Sequence, residues 1–223
     1  MRARSIIVLC VLLGALAFAW MKWRDSSSRG EAKETSGTIV HKLPVLFENR
    51  TFDPANPPPE MPPMTPGEVA VCDSNFVASA NVSGDTRSTD ATHANVTITQ
   101  VKVTLQLNIN IWAPPGVSPH VMEHENGHRQ ISERYYETAD KVAERIAATY
   151  LGRQEEISGA DLDAESGKLL QQMAAEIAAE YGKELNPDPT QELYDTITDH
   201  SRNDVSVQDA VTHAINNAAV EAN

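Results

Sequence analysis

Between Asn95 and Trp112, apolar and polar residues take turns. Val101, Val103, Leu105, Leu107, Ile109 and Ile111 occupy every second position, with Lys102, Thr104, Gln106, Asn108 and Asn110 between them. A period of two is that of a β-strand with one face buried and the other polar. Val96 and Ile98 lie in the opposite phase, which predicts a β-bulge or bend near Thr99–Gln100. Ala113-Pro114-Pro115-Gly116 stops the strand. Upstream, Thr38–Phe47, Glu68–Cys72 and Asn75–Val82 predict short strands, and Ser83 to His93 a polar turn. Seven prolines from Pro54 to Pro66 predict an extended loop, because proline excludes helix.

After Gly116 the period becomes that of a helix. Ser118 suits the N-cap and Pro119 the first helical position. His124, His128, Ile131, Tyr135, Val142 and Ile146 form one stripe that ends at Gly152. Asp161 to Gly182 reads as a second helix, with Leu170, Met173, Ala174, Ile177 and Tyr181 inward. Asn186-Pro187-Asp188-Pro189 is a turn, Thr190 to Thr198 a short helix, and Ser206 opens a last one. The expected fold is α+β: a small N-terminal β-sheet (β part 38–116) followed by a helical part (117–223).

The first residues change the picture of where this domain works. Two arginines in Met1–Arg4 precede an uncharged stretch of 17 residues, Ser5 to Met21. This is the pattern of a signal peptide or signal anchor over residues 1–24. As a helix it would reach roughly 25 Å, a little short of a bilayer core. Two small-x-small triplets, Ala15–Ala17 and Ala17–Ala19, permit cleavage, while Lys22 and Arg24 favour a retained inner-membrane anchor. Either outcome exports the rest, to the periplasm or beyond. Residues 25–37 read as a flexible tether. Cys10 lies inside the apolar run, so the exported part keeps only Cys72 and no internal disulfide. A formal net charge of -13 repels phosphate backbones and argues against nucleic-acid binding. It also leaves the N-terminal segment as the one expected membrane contact.

The chemistry sits on the first helix. His124-Glu125-Asn126-Gly127-His128 matches H-E-x-x-H. Residues four apart share a helix face, so two imidazoles can grip one ion, with the glutamate beside them as general base on a zinc-bound water. Chance produces such a match in roughly one shuffled chain in sixty, so context matters. Here the motif lies on a predicted helix directly after a half-polar strand, and in zinc proteases such a strand commonly lies along the substrate cleft. Asn126 and Gly127 are poor helix formers placed in mid-helix, the kind of local rule broken at functional sites.

A zinc site of this kind needs a third protein ligand. The longer HExxHxxGxxH pattern requires His at position 134, and Arg134 stands there. Following the chain out along the first helix and back along the second leaves Glu176, Glu180 and the segment after Pro189 as candidates. In that segment stands Tyr194-Asp195-Thr196-Ile197-Thr198-Asp199-His200. His200 is its imidazole; His213 is a weaker candidate. Tyr194 could hydrogen-bond an oxyanion as a catalytic residue, or simply pack. Asp195 or Asp199 could orient a ligand histidine.

From Cys72 through the alternating strand, Trp112, the HENGH helix and the Tyr194-Asp195…Thr198-Asp199-His200 cluster, the chain resembles a bacterial family of predicted secreted zinc-dependent proteases. The likeness covers roughly residues 38–205. It implies a zincin-like domain binding one Zn2+ per chain, metal roles for His124 and His128, and a catalytic role for Glu125. Together with the chain geometry it points to His200 as third ligand. The expected function is hydrolysis of peptide bonds in a peptide or protein substrate outside the cytoplasm. The alternative is a non-catalytic, membrane-anchored module of the cell envelope.

Overall fold

A computed structural model describes residues 37–221. The expected signal or anchor segment and nearly all of the tether lie outside the described residues. Among those described, no helix is long and apolar enough to cross a membrane.

The chain is mixed α/β, built round one long strand. In chain order the strands are β1 (Gly37–Lys42), β2 (Leu46–Thr51), β3 (Val71–Ser88), β4 (His93–Ala113) and β5 (Gln154–Ser158). β4 is the centre. Along one edge it pairs antiparallel with β3 from end to end, from Val71↔Trp112 to Ser88↔Ala94. Along the other edge three short strands sit in tandem: β5 opposite 93–97, β1 opposite 100–105 and β2 opposite 108–113. β1 and β2 run parallel to β4 and are interrupted at Pro44, which has no N–H to give to the ladder. Gln106 donates its side-chain amide to the Pro44 carbonyl at 2.7 Å, closing the gap.

The phase switch in the alternating segment is a β-bulge. Ser83 pairs with Gln100 and Gly84 with Ile98, leaving Thr99 as the extra residue. Other boundaries also differ from expectation, the first being the single strand expected over Thr38–Phe47, which is divided into β1 and β2. The two short strands expected before Ser83 are one continuous β3, and its turn with β4 is confined to residues 89–92. Asp90 holds that turn by accepting from the Thr92 N–H at 2.7 Å. The link after the first helical region carries β5, which returns to the sheet, so the helical part is not free of strand. QEEIS has one inward position, Ile157, too few for an alternation to be seen.

Among the described residues there are five helical segments: α1 (Pro119–Glu137), α2 (Ala139–Tyr150), α3 (Leu162–Glu184), α4 (Asp188–Thr198) and α5 (Val207–Glu221). The expected single helix to Gly152 is broken at Thr138, whose N–H is drawn to the Tyr135 carbonyl. Two cores result. The larger joins the apolar face of β4 to Tyr136, Ala143, Ile146 and Tyr150, and to Met173, Ile177 and Tyr181 of α3. The smaller packs Ile131 of α1 against Tyr194 of α4 and Ala210, Val211 and Ala214 of α5. α1 belongs to both. Its C-terminal end is tied to the sheet by the Tyr136 hydroxyl, 2.9 Å from the Leu43 carbonyl and 3.0 Å from that of Leu105.

Candidate metal centre

The site forms where α1 crosses from one core to the other. α1 starts as expected: the Ser118 hydroxyl accepts from the Val121 N–H, and Pro119 opens the first turn. One turn on, His124, Glu125 and His128 face a cavity of about 740 Å³. Its opposite wall is the stretch from Pro62 to Ser74, and α4 with the turn after it closes the side through Gln191, Asp195, His200 and Ser201. β4 is flanked on both edges and does not line this cavity. The strand that does is β3, whose outer edge pairs with no strand among the described residues. The cleft strand expected from the alternating pattern is therefore its hairpin partner.

Three side chains converge. His124 Nε2 and His128 Nε2 are 3.2 Å apart. Asp195 Oδ1 lies 3.3 Å from the first and 3.0 Å from the second. With zinc–nitrogen and zinc–oxygen bonds of 2.0–2.2 Å in a tetrahedron, ligand atoms stand about 3.3–3.6 Å apart, so this triangle is slightly smaller than one face of a zinc site, by a few tenths of an ångström. Despite these short distances, buried Asp195 Oδ1 satisfies hydrogen-bond geometry with neither ring. Among the described residues these three form the one cluster of His, Cys, Asp or Glu with metal-ligand spacing.

The surroundings orient the three side chains. His128 Nδ1–H donates to Gln191 Oε1 at 2.6 Å, leaving Nε2 toward the cluster. The Gln191 amide in turn donates to the His128 carbonyl at 3.2 Å and to Ser132 Oγ at 3.0 Å, and Ser132 reaches Ser74 of β3 at 2.8 Å. A hydrogen-bonded ligand histidine is the usual arrangement at metal sites. The His124 ring stacks on Tyr194, with centroids 5.1 Å apart and planes 18° from parallel.

Charge follows the geometry. Burial would push the Asp195 carboxyl up, but the two imidazoles outweigh it and hold it well below the ordinary carboxylate range. Burial opposes charging of His128, yet Asp195, with help from Glu125 and Gln191, lifts it to about 9. Glu125 is pushed up by burial, against the pull of His128, His124 and the Cys72 N–H, which donates to its carboxylate from the start of β3. A carboxylate so raised is closer to a useful base and acid near neutral pH. Burial, and then the charge of Glu125, keep the Cys72 thiol protonated.

His200 does not join the cluster. It is 44% exposed at the cavity rim, with Nδ1 3.7 Å from Asp195 Oδ1 and 3.8 Å from Glu68 Oε1. The position expected for it is taken by Asp195. The turn carrying it is unusual: Asp199, His200 and Ser201 have φ of 47°, 52° and 64°, three successive non-glycine residues in left-handed conformation. Glu176 and Glu180 lie on α3, outside the cavity; Glu180 accepts from the Tyr150 hydroxyl at 2.9 Å. His213 is exposed on α5. The Tyr194 hydroxyl is buried and donates to the His124 carbonyl at 3.1 Å, so it faces α1 and not the cavity where an oxyanion would form.

Asp195 and Gln191 are what reading the sequence missed as direct partners. The signal was present: they stand four apart on α4, one face of one helix, as His124 and His128 do on α1. No protein-family model, curated protein or solved structure matches the chain.

Proposed function

We propose that the protein is a zinc-dependent hydrolase of the HExxH type that cleaves peptide bonds, with His124, His128 and Asp195 holding the metal. The observation that carries this reading is the convergence of His124 Nε2, His128 Nε2 and Asp195 Oδ1 within 4.8 Å of one another, with Glu125 on the same helix face. Bound there, zinc supplies Lewis acidity toward a carbonyl and makes water acidic enough to ionise near pH ~7. The chain does the rest. Gln191 fixes the His128 tautomer. Glu125, steadied by the Cys72 N–H, accepts a proton from the attacking water and returns it to the departing amine nitrogen. The outer edge of β3, which pairs with no strand among the described residues, offers backbone groups to an extended peptide beside Glu125, which supports a peptide substrate over a compact one. Export of the domain rests on the composition of residues 1–24, and kinship with the bacterial secreted zinc-dependent proteases on the sequence likeness above.

The test is Glu125→Gln. Zinc content near one per chain in both forms, with chelator-sensitive peptide hydrolysis in the wild type and a loss of at least about 100-fold in the variant, is the expected result. Full turnover by the variant would remove Glu125 as the base. Absence of zinc uptake by the wild type would remove the enzyme reading altogether.

A further inference from the structure

Gly127 is the weakest helix former in the interior of α1 and sits in the middle of the motif, where no turn requires it. A methyl group built there would lie 3.0 Å from Tyr194 Cε1 and far inside contact distance of its Cζ and hydroxyl oxygen. The missing side chain is thus a notch, and the Tyr194 ring fills it. Once seated, Tyr194 is fully buried and touches everything around it. Its hydroxyl donates to the His124 carbonyl, its face stacks on His124, and His128 stands edge-on to it with centroids 4.9 Å apart. The next residue in the chain is Asp195.

We propose that Gly127 and Tyr194 form a lock-and-notch pair that sets the depth of α4 against α1, and so places the Asp195 carboxylate where it meets the two imidazoles. This rests on the metal-site reading above. Tyr194 is then a positioning residue. Metal ligands must hold their distances to within about 0.2 Å. A methyl at 127 forces the Tyr194 ring back by on the order of an ångström to reach ordinary carbon contact, and Asp195 moves with it.

The experiment is titration of the purified full chain with Co2+ against a competing chelator. The visible spectrum of the bound ion is read for coordination number, and circular dichroism and thermal melting serve as fold controls. Wild type should bind one ion with a four-coordinate spectrum. Gly127→Ala should bind about 100-fold more weakly with an altered spectrum. Tyr194→Leu, which empties the notch without adding bulk, should lose a similar amount, and the double variant should be no worse than Tyr194→Leu alone. Tyr194→Phe keeps the ring seated and should stay within about tenfold of wild type, with the wild-type spectrum. If Gly127→Ala does not fold, Tyr194→Leu decides. A folded Gly127→Ala or Tyr194→Leu chain with wild-type affinity and spectrum overturns the lock and leaves the metal site standing. A wild-type chain that takes up no metal overturns both. Loss of turnover in Tyr194→Phe with metal and spectrum intact would make the hydroxyl catalytic and overturn the positioning role.

Discussion

Replacing Asp195 with alanine separates the two candidates for third ligand. In the structure its Oδ1 stands 3.0 and 3.3 Å from the two Nε2 atoms, whereas the nearer nitrogen of His200 is 3.7 Å from that same oxygen and outside the cluster. Structural zinc sites are worth about 10–16 kcal/mol at neutral pH, or about 3 kcal/mol for each of four ligands. At 1.4 kcal/mol per tenfold, loss of one ligand weakens binding by about 100-fold. One effect trims this figure. Asp195 is also what favours a proton on His128, and without it the buried ring is more readily neutral and competes less with metal. A net loss of at least about 30-fold is therefore expected for Asp195→Ala, against less than about threefold for His200→Ala. Competition with a chromophoric zinc chelator at fixed pH measures both. Tight binding by Asp195→Ala together with loss in His200→Ala would refute the assignment and return His200 to the metal.

Further outcomes follow from the same geometry. Gln191→Leu removes the acceptor for His128 Nδ1–H and should weaken metal binding about 10- to 100-fold while leaving the fold intact; equal affinity in the same competition assay would mean the ring is held by packing alone. The metal-free chain should lose stability as pH rises. His128 is held at about 9 in the folded chain against an ordinary 6.5, so its contribution is complete below pH ~6.5 and lost as pH passes ~9. That contribution is at most about 3 kcal/mol. Seen from Asp195, whose pKa is depressed, the same interaction fades as pH falls below its ordinary value of 3.8. Melting temperature should therefore fall by several degrees between pH 6.5 and 9 without metal, and less with zinc bound, when that ring carries no extra proton; a flat or rising profile for the metal-free chain contradicts the His128–Asp195 pairing.

Much of this molecule could be read before any coordinates. The buried face of β4 and its bulge at Thr99 were visible because a sheet alternates with period two and each slip of phase leaves a mark. The start of α1 and the placing of His124, Glu125 and His128 on one face came from capping chemistry and helical spacing. What escaped was non-local. β5 pairs with β4 across some sixty residues through one inward isoleucine. The register of α4 against α1, which makes Asp195 a direct partner of the histidines and leaves His200 at the rim, depends on Tyr194 finding a notch sixty-seven residues earlier in the chain. Preference for imidazole over carboxylate pointed to His200, which the structure leaves at the rim, and away from Asp195, which it brings to the two rings.

The tandem arrangement along one edge of β4 bears on how the chain must assemble. β1 and β2 are made before the rest of the sheet, yet Gly37 and Leu46 wait for Gln100 and Asn108. Those two segments have no sheet to join until the β3–β4 hairpin has closed, and long loops of this kind slow folding. The helix bearing the histidines leaves directly from the end of β4, so a hairpin closed one residue out of step would turn its apolar side outward and start α1 from the wrong place. Correct zipping of one ribbon thus precedes both the docking of β1 and β2 and the gathering of His124, His128 and Asp195.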